Sequence, residues 1–361
     1  MKRGSRSPSR TAVLRRVIAA TALSVAACAS QEDDGDASAS PQNAPQSVRL
    51  EGDVLLGDDL LGSPSAMAVV DDHLVVLDDH MGPAVHVIRR ADGVRVRAFG
   101  REGSGPREFR NPRGIDPIAG RPEFWVYDGQ LQRLVHVDLR QDTAAVGDRS
   151  VSLRSDQLPL DAVWTADGKI LSAGLFSGGR LGRFEGDGRL IGTSGRVPSG
   201  KGPPAIVQHA YTGTLVARPD RRRFALLTRH ADHVEFFGPG GSPLRTVAGP
   251  VGFLPIYEVA SRAGYPTMAS GDDLRFGYID ASATESALYG LYSGRARGEL
   301  PGYAHFATFV HEYDWEGKLR RVFKLDAYAI GIAVDPEAST LYVSRLYPTP
   351  AILRYQLPPR G

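Results

Sequence analysis

The chain has 361 residues, a formal net charge of +2 and 42% hydrophobic residues, with aromatic residues making up 8%. This is the composition of a globular protein with enough apolar side chains for a large core. A charge so close to zero provides no basic surface for nucleic acid, so we expect no nucleic-acid partner. Glycine and proline number 41 and 25, which favours many turns and short strands over long helices.

The N-terminus carries the pattern of an export signal. Basic residues precede the apolar run VIAATALSV (Val17–Val25), and the small residues Ala26 and Ala27 follow it, directly before Cys28. An apolar run of about ten residues is too short to span a bilayer and has the length of a secretory core region. Val25-Ala26-Ala27-Cys28 resembles the bacterial lipobox, which implies cleavage before Cys28 and lipidation of its thiol. The sequence therefore predicts a signal peptide over residues 1–27.

The predicted lipid makes the membrane the first expected partner of this chain. One acyl chain binds a membrane only reversibly, whereas the several chains of a mature lipoprotein anchor it stably. Cys28 is the only cysteine, so no intramolecular disulfide can form. Ala29 stands where an aspartate retains some lipoproteins at the inner membrane. We therefore expect a lipid-anchored protein of the bacterial cell envelope, on the outer membrane and facing the periplasm or the cell surface.

The segment after the cysteine has the composition of a flexible linker. Residues 29–47 are acidic and rich in Ser, Ala, Gln and Pro, with no aromatic or β-branched residue before Val48. Such a segment cannot bury enough apolar surface to become ordered. The sequence thus predicts an acylated tether over residues 28–47 and a folded domain over residues 48–361.

One pattern recurs through the rest of the chain: short apolar strands joined by β-turns such as Asp167-Gly168 and Asp187-Gly188. The units run over Ser65–Gly100, Arg113–Arg140, Leu160–Gly192, Gly213–Val247, Leu274–Leu325 and Ala329–Leu357. Six units of three to four strands with no helical periodicity predict an all-β, six-bladed β-propeller. The sixth unit has only three strands, so we expect Ser47–Leu55 to complete it and close the ring without leaving an open sheet edge.

The stretch FGREGSGPREFRNPRGI (Phe99–Ile115) contains three glycines among basic residues. A phosphate-binding glycine loop needs a helix directly after it, and here Pro106, Pro112 and a strand-like run follow instead. The pattern resembles the junction of NHL-repeat propellers. The segments Ala287–Gly294, His311–Leu325 and Ile330–Ser344 resemble TolB-like six-bladed propeller lipoproteins. That family is known mainly as an architecture, so the resemblance implies a scaffold and no reaction.

Polar residues follow the second strand of several predicted units, where propeller loops converge around the central channel. Function usually lies on such loops. The candidate ligand-binding residues at this channel mouth are Asp79, His80, Arg107, Asp128, Arg229, His230, Asp280 and Arg345. The alternative for each single aspartate is a turn-capping role, which is common for this residue.

Arginines are concentrated near the same mouth. Arg101, Arg107, Arg110 and Arg113 lie in the glycine-rich junction, while Arg229 and Arg345 come from other blades. Guanidinium groups bind carboxylates and phosphates in a planar, bidentate geometry. We therefore expect an anionic small molecule, a peptide or an envelope protein as ligand, unless the nearby aspartates neutralise the arginines.

The sequence contains no motif that identifies a catalytic residue, a cofactor or a metal site. His230 and His233 are separated by two residues but lack a recognisable third ligand. We expect a binding or scaffolding module rather than an enzyme. The alternative is a propeller hydrolase or lyase with a divalent cation in the channel, for which Asp79, Asp128 and Asp280 would supply oxygen ligands.

Aromatic residues on the alternating strand runs are expected to fill the core between blades: Trp125, Trp164, Phe236, Phe237, Tyr289 and Tyr342. Each buried aromatic side chain contributes roughly 1.5–3 kcal/mol. Trp315 precedes a turn, so an exposed position is expected for it.

Overall fold

The computed structural model describes residues 45–57, 60–79, 82–141, 146–337 and 339–360. The predicted signal peptide, Cys28, most of the predicted tether and His80 lie outside the described residues. Within them, no helix is long and apolar enough to cross a membrane.

The first half of the described chain forms three four-stranded antiparallel blades, preceded by two short strands. The leading strands are β1 (Ser47–Leu50) and β2 (Asp53–Leu56). Blade one consists of β3 (Pro64–Val70), β4 (His73–Asp78), β5 (Val85–Arg89) and β6 (Arg95–Phe99). The junction after it holds β7 (Arg101–Glu102) and β8 (Glu108–Phe109). Blade two consists of β9 (Pro112–Pro117), β10 (Glu123–Asp128), β11 (Arg133–Asp138) and β12 (Ser150–Ser152). Blade three consists of β13 (Leu158–Trp164), β14 (Ile170–Leu175), β15 (Leu181–Phe184) and β16 (Leu190–Ser194).

The second half adds one helix, one hairpin and three more blades. Helix α1 (Pro204–Ala210) leads into blade four, which consists of β17 (Gly213–Ala217), β18 (Phe224–Thr228), β19 (His233–Phe237) and β20 (Pro243–Ala248). A hairpin of β21 (Glu258–Arg262) and β22 (Tyr265–Ala269) follows. Blade five consists of β23 (Tyr278–Ala283), β24 (Leu288–Tyr292), β25 (Ala307–Tyr313) and the first half of β26 (Leu319–Val334). Blade six consists of the second half of β26, β27 (Thr340–Arg345), β28 (Ala351–Gln356) and β2.

The blades form a closed ring. The innermost strands β3, β9, β13, β17, β23 and the second half of β26 contact one another in that order, and β26 contacts β3 again. The six-bladed propeller predicted from the sequence is therefore confirmed.

The N-terminal strands close the ring, with one difference from the prediction. Strand β2 pairs antiparallel with β28 and supplies the missing strand of blade six, as expected. Strand β1 instead pairs in parallel with the first half of β26. Ser47 lies opposite Val322 and Leu50 opposite Leu325, so β1 is a fifth strand on blade five. The N-terminal segment thus joins two blades, because β1 pairs with blade five and β2 pairs with blade six.

Glycines set the hairpin turns at the positions that the sequence indicated. Gly168, Gly188 and Gly317 have φ values of 75°, 86° and 83°. In each turn the glycine N–H donates to the carbonyl three residues earlier, for example from Gly168 to Thr165 at 3.2 Å. A type I turn that ends in a left-handed residue selects glycine, because a side chain there is strained.

The core consists of six apolar clusters, each between two neighbouring blades. The six aromatic residues predicted for the inter-blade core all belong to these clusters. The expected exposure of Trp315 is wrong: its side chain is 4% exposed and lies against Phe236. Its indole N–H donates to the Thr284 carbonyl at 3.1 Å, so the polar edge is satisfied inside the core.

Two long insertions pack together beside the ring. Pro203 and Pro204 start α1, where the missing proline N–H costs no helical hydrogen bond. The buried face of α1, with Ile206 and Val207, packs with Tyr257 and Met268 from the hairpin insertion. This small apolar cluster is separate from the inter-blade cores and places α1 next to the channel.

Candidate functional site

A pocket of about 420 Å³ lies at the channel mouth, where the loops and inner-strand starts of all six blades meet. Four of the predicted site residues line it: Asp79, Arg229, His230 and Asp280. They come from blades one, four and five, so the ring brings together residues that are far apart in sequence.

The other described candidates lie away from this lining. The buried carboxylate of Asp128 accepts the backbone N–H groups of Arg110 at 2.8 Å and Asn111 at 3.2 Å, and so fixes the entry into blade two. Arg345 donates its Nε–H to the Thr349 carbonyl at 3.3 Å within its own loop. Arg107 is exposed and lines a second cavity of about 560 Å³ under the glycine-rich junction. A ligand-binding role for these three residues stays a prediction.

The glycine-rich junction is filled by its own carboxylate. Glu108 accepts the Gly105 N–H at 2.7 Å and forms an ion pair with Arg101, also at 2.7 Å. A Cβ on Gly103 would lie 2.1 Å from the same Glu108 side chain, so glycine is required for this close approach. In a phosphate-binding loop, backbone N–H groups of this kind bind the phosphate. Here the Gly105 N–H binds the Glu108 carboxylate instead.

Three further ionisable side chains line the pocket. Arg113, predicted as part of the arginine group, lines it from blade two. Asp161 from β13 and His209 from α1 line it as well and were not predicted. Asp161 is a charged residue within the otherwise apolar run LPLDAVW, and this interruption is the sequence feature from which it could have been predicted. The position of His209 in the pocket depends on how the insertion that contains α1 packs beside the ring. The sequence has no comparable feature that predicts this packing.

Two carboxyl groups on the pocket wall link neighbouring inner strands. Asp161 accepts the Leu215 N–H at 2.9 Å, from blade three to blade four. Asp280 accepts the Ile332 N–H at 2.8 Å, from blade five to blade six. Burial raises the pKa of Asp161 to about 6 and the pKa of Asp280 to about 7, with the charge of Asp161 adding to the effect on Asp280.

Arg229 is fixed at the mouth by its backbone. Its N–H donates to the Thr212 carbonyl at 2.7 Å, and its carbonyl accepts the Gly277 N–H at 2.7 Å. Burial and the nearby charge of Arg113 lower its pKa, and the charge of Asp280 acts in the opposite direction. Within the described residues, neither guanidinium forms a hydrogen bond or an ion pair with a carboxylate. Two cationic groups therefore share the pocket without a closely bound counterion.

The surroundings of His230 and His305 favour the neutral imidazole. Burial and the Arg229 charge lower the pKa of His230 to about 4, and the same two causes lower the pKa of His305. The pocket therefore combines the positive charges of Arg113 and Arg229 with the carboxyl groups of Asp79, Asp161 and Asp280.

The alternative of a cation-dependent enzyme requires a cage of oxygen ligands. The part of the chain that the structure describes contains no group of three or more His, Cys, Asp or Glu side chains placed to hold a metal ion. No observation at this site favours that alternative.

Comparison with solved structures finds many propellers of similar fold. An exported protein from Bacteroides fragilis matches with a TM-score of 0.54 and 11% identity, over 86% of this chain and 95% of that one. Virginiamycin B lyase from Staphylococcus aureus matches with a TM-score of 0.49 and 12% identity, over 86% and 100%. Hydrazine synthase from Kuenenia stuttgartiensis matches with a TM-score of 0.46 and 11% identity, over 82% and 96%. At these identities the likeness concerns the fold alone.

Among curated proteins, none matches the sequence significantly. A family model, described as TolB-like 6-blade propeller-like, matches residues 44–337. This match covers most of the chain and agrees with the six blades, the ring closure and the inter-blade cores described above. The chain belongs to the TolB-like six-bladed propeller family.

Proposed function

We propose that this propeller is a lipid-anchored binding module of the bacterial cell envelope and that its channel mouth binds a carboxylate-bearing ligand. The observation that carries the proposal is the pair Arg113 and Arg229, which faces the pocket from two blades without a hydrogen-bonded carboxylate partner in the described residues. A TolB-like propeller is a rigid frame suited to holding such a pair in place.

A ligand carboxylate would relieve an unfavourable arrangement. Arg229 is half-buried and Arg113 is exposed, and two cations close to each other repel. A carboxylate between the two groups accepts charge-assisted hydrogen bonds, which are about twice as strong as neutral ones. Asp280 and Asp161 act on Arg229 and Arg113 through their charge, but among the described residues neither carboxyl forms a hydrogen bond with a guanidinium; their oxygens accept backbone N–H groups instead.

The envelope location rests on the N-terminal sequence. The basic residues, the apolar run Val17–Val25 and the small residues before Cys28 together support export and acylation. Stable attachment through several acyl chains would hold the propeller at the outer membrane, with the residues between Cys28 and β1 as a spacer.

A Cys28→Ser substitution tests the anchor. We expect the variant to lose acylation and to leave the membrane fraction, as followed by fractionation and mass spectrometry of the N-terminus. Ala29→Ser serves as the matched control and should remain with the membrane. Unchanged membrane partitioning of Cys28→Ser would contradict the proposed anchor.

The binding site is tested with short peptides that have either a free or an amidated C-terminus. Acetyl-Gly-Ser-Gly-Phe with a free carboxylate should bind the purified protein in isothermal titration calorimetry, whereas its amide should bind at least about tenfold more weakly. The double variant Arg113→Ala and Arg229→Ala should lose this difference. The control Arg101→Ala changes an arginine that is paired with Glu108 and should retain it. Equal affinity for acid and amide in the unaltered protein would overturn the proposal.

A further inference from the structure

Charged side chains of opposite sign alternate around the channel-mouth pocket. In the order of the blades, from one to five, the lining contains Asp79, Arg113, Asp161, Arg229 and Asp280. Blade six contributes Ile330, which carries no charge. The sign of the charge therefore changes at each step from blade one to blade five. We call these five side chains the charged rim.

Four members of the charged rim act on one another through their charge without direct pairing. The charge of Arg113 acts on the carboxyl of Asp161, and the charge of Arg229 acts on the carboxyl of Asp280. Within the described residues, no hydrogen bond or ion pair joins either guanidinium to either carboxyl. The pocket of about 420 Å³ lies among these groups, and this volume is sufficient for a small molecule.

The two carboxyl groups keep acceptor positions for a further donor. An ionised carboxylate has about four such positions. Asp161 accepts the backbone N–H groups of Ala162 and Leu215, both at 2.9 Å, and Asp280 accepts the Ile332 N–H at 2.8 Å. These bonds fix both side chains on inner strands. Because both side chains also line the pocket, their remaining acceptor positions are available to a ligand.

We propose that the charged rim binds a free α-amino acid, with the carboxylate of the ligand at the two arginines and its ammonium group at Asp161 and Asp280. This inference rests on the proposed carboxylate site and adds the class of ligand. An α-amino acid carries its two charges on one carbon, so each charge lies close to rim groups of the opposite sign. A ligand with only a carboxylate would leave the two carboxyl groups facing its negative charge.

The charge balance of the rim favours a zwitterion over a simple anion. The lining combines two guanidinium groups with three carboxyl groups, so it has no excess of positive charge to attract an anion. Burial and the charge of Asp161 raise the pKa of Asp280 to about 7. An ammonium group beside both carboxyls would offset their mutual repulsion.

The lining also offers apolar surface for the side chain of the ligand. Leu160, Ile279 and Ile330 contribute to it from blades three, five and six. Burial of an aliphatic side chain against them would add to the affinity. Leucine is therefore a suitable probe.

The test compares three probes with the same branched aliphatic group by isothermal titration calorimetry on the purified protein. Leucine carries both charges, isocaproate lacks the amine, and isoamylamine lacks the carboxylate. At about pH 7.5 the carboxylates and amines of these probes are ionised. We expect leucine to bind about tenfold more tightly than either single-charge probe, because only leucine forms charge-assisted hydrogen bonds with both kinds of rim group.

Asp280→Asn tests the position of the ammonium group. The amide oxygen can still accept the Ile332 N–H, and the negative charge is removed. The preference for leucine over isocaproate should fall from about tenfold to less than about threefold. Asp273→Asn is the matched control, because Asp273 is exposed just before β23 and does not line the pocket. This control should keep the preference, and an unchanged preference in Asp280→Asn would overturn the inference.

The outcomes separate this inference from the function on which it rests. Equal binding of leucine and isocaproate, with acetyl-Gly-Ser-Gly-Phe still preferred over its amide, would overturn the amino acid and leave the carboxylate site intact. A peptide amide that binds as well as the acid would overturn both. Tighter binding of isoamylamine than of leucine would identify a cation site and contradict both. No binding of leucine at about 1 mM would overturn the amino acid as the ligand.

Discussion

Asp280 is a carboxyl group whose folded environment favours its protonated form. Its pKa is about 7 in the folded protein, against an ordinary value near 4, because the pocket wall buries it close to Asp161. Between these two values the folded state holds a proton that the unfolded state releases. Asp280 therefore lowers stability as the pH rises from about 4 to about 7.

We expect Asp280→Asn to become more stable relative to the unaltered protein as the pH increases from about 5 to about 8. The amide oxygen can still accept the Ile332 N–H, and the amide cannot ionise. Urea unfolding of both proteins at the two pH values measures this difference. The variant must be compared with the unaltered protein at each pH, because other groups also titrate. Burial lowers the pKa of His311 to about 3, so this imidazole raises stability as the pH rises, whereas Asp280 lowers it. A constant difference between the two proteins at both pH values would show that Asp280 does not titrate in this range.

The same carboxyl should affect ligand binding. Ionised Asp280 repels a ligand carboxylate held at Arg229, so we expect the affinity for acetyl-Gly-Ser-Gly-Phe to fall as the pH rises through about 7. In Asp280→Asn this part of the pH dependence should disappear. Calorimetric titrations across this range measure the effect. A pH profile that is identical in both proteins would place the ligand away from Asp280.

Three of the four predicted residues that line the pocket follow a regular strand of a recognisable unit, whereas the fourth, Asp280, lies inside β23 at a register shift. Asp79, Arg229 and His230 occupy the loops after second strands, where the repeat itself determines the position. Asp161 was missed because it stands inside an inner strand, at a register shift between Pro159 and Asp161 that turns its side chain to the pocket. Such bulges depend on pairing with the next strand, which the single segment does not show.

At the scale of single elements, helix α1 depends on a buried arginine. Arg180 is 2% exposed and pairs with Glu235 at 2.7 Å. Its guanidinium also donates to the side-chain oxygen of Gln208 and to the carbonyl of Tyr211, both at 2.7 Å. One side chain thus connects blade three, blade four and the helix that carries His209.

We expect Arg180→Met to destabilise the protein by about 3 kcal/mol, because Glu235 and Gln208 lose their partner inside the fold. The surface pair Arg89–Asp92 provides the control, since both side chains are nearly half exposed, and Arg89→Met should cost less than about 1 kcal/mol. Thermal and urea unfolding of both variants measure the two costs. Similar costs would contradict the role assigned to Arg180.

The strands β1 and β2 are expected to be essential for closing the ring. Removal of residues 1–57 would leave the β28 edge unpaired, and an open edge associates with other chains. We expect this truncated protein to form oligomers in size-exclusion chromatography and to unfold at a lower temperature. A protein that lacks only residues 1–44 keeps both strands and is the control. A stable monomer after the longer truncation would show that closure does not need these strands.

The six units could be located from the sequence because each contains short apolar strands joined by turns, although the pattern drifts and the fifth unit diverges most. Two features could not. Strand β26 runs without interruption from blade five into blade six, whereas the sequence suggested separate strands ending near Leu325 and starting at Ala329. The hairpin β21–β22 and helix α1 are insertions outside the repeat, so the repeat pattern carries no information about them.

At the scale of the whole molecule, the closed ring explains how the site is held in place without a disulfide. The chain has one cysteine, Cys28, so no intramolecular disulfide can form. Six apolar clusters join the blades in a cycle, and the N-terminal segment fastens blades five and six. The pocket lies where all six blades meet, so its arginines are held by the ring as a unit. The composition and repeats predict this architecture, but the ligand follows only from side chains that the closed ring brings together.

The most direct measurement is a crystal structure of the protein with a peptide that ends in 4-bromophenylalanine with a free carboxylate. We predict an anomalous bromine peak inside the channel-mouth pocket, beside His230. The ligand carboxylate should lie within about 3 Å of the Arg229 guanidinium. A bromine peak elsewhere, for example in the cavity beside Arg107 under the glycine-rich junction, would contradict the central claim that the channel mouth is the binding site.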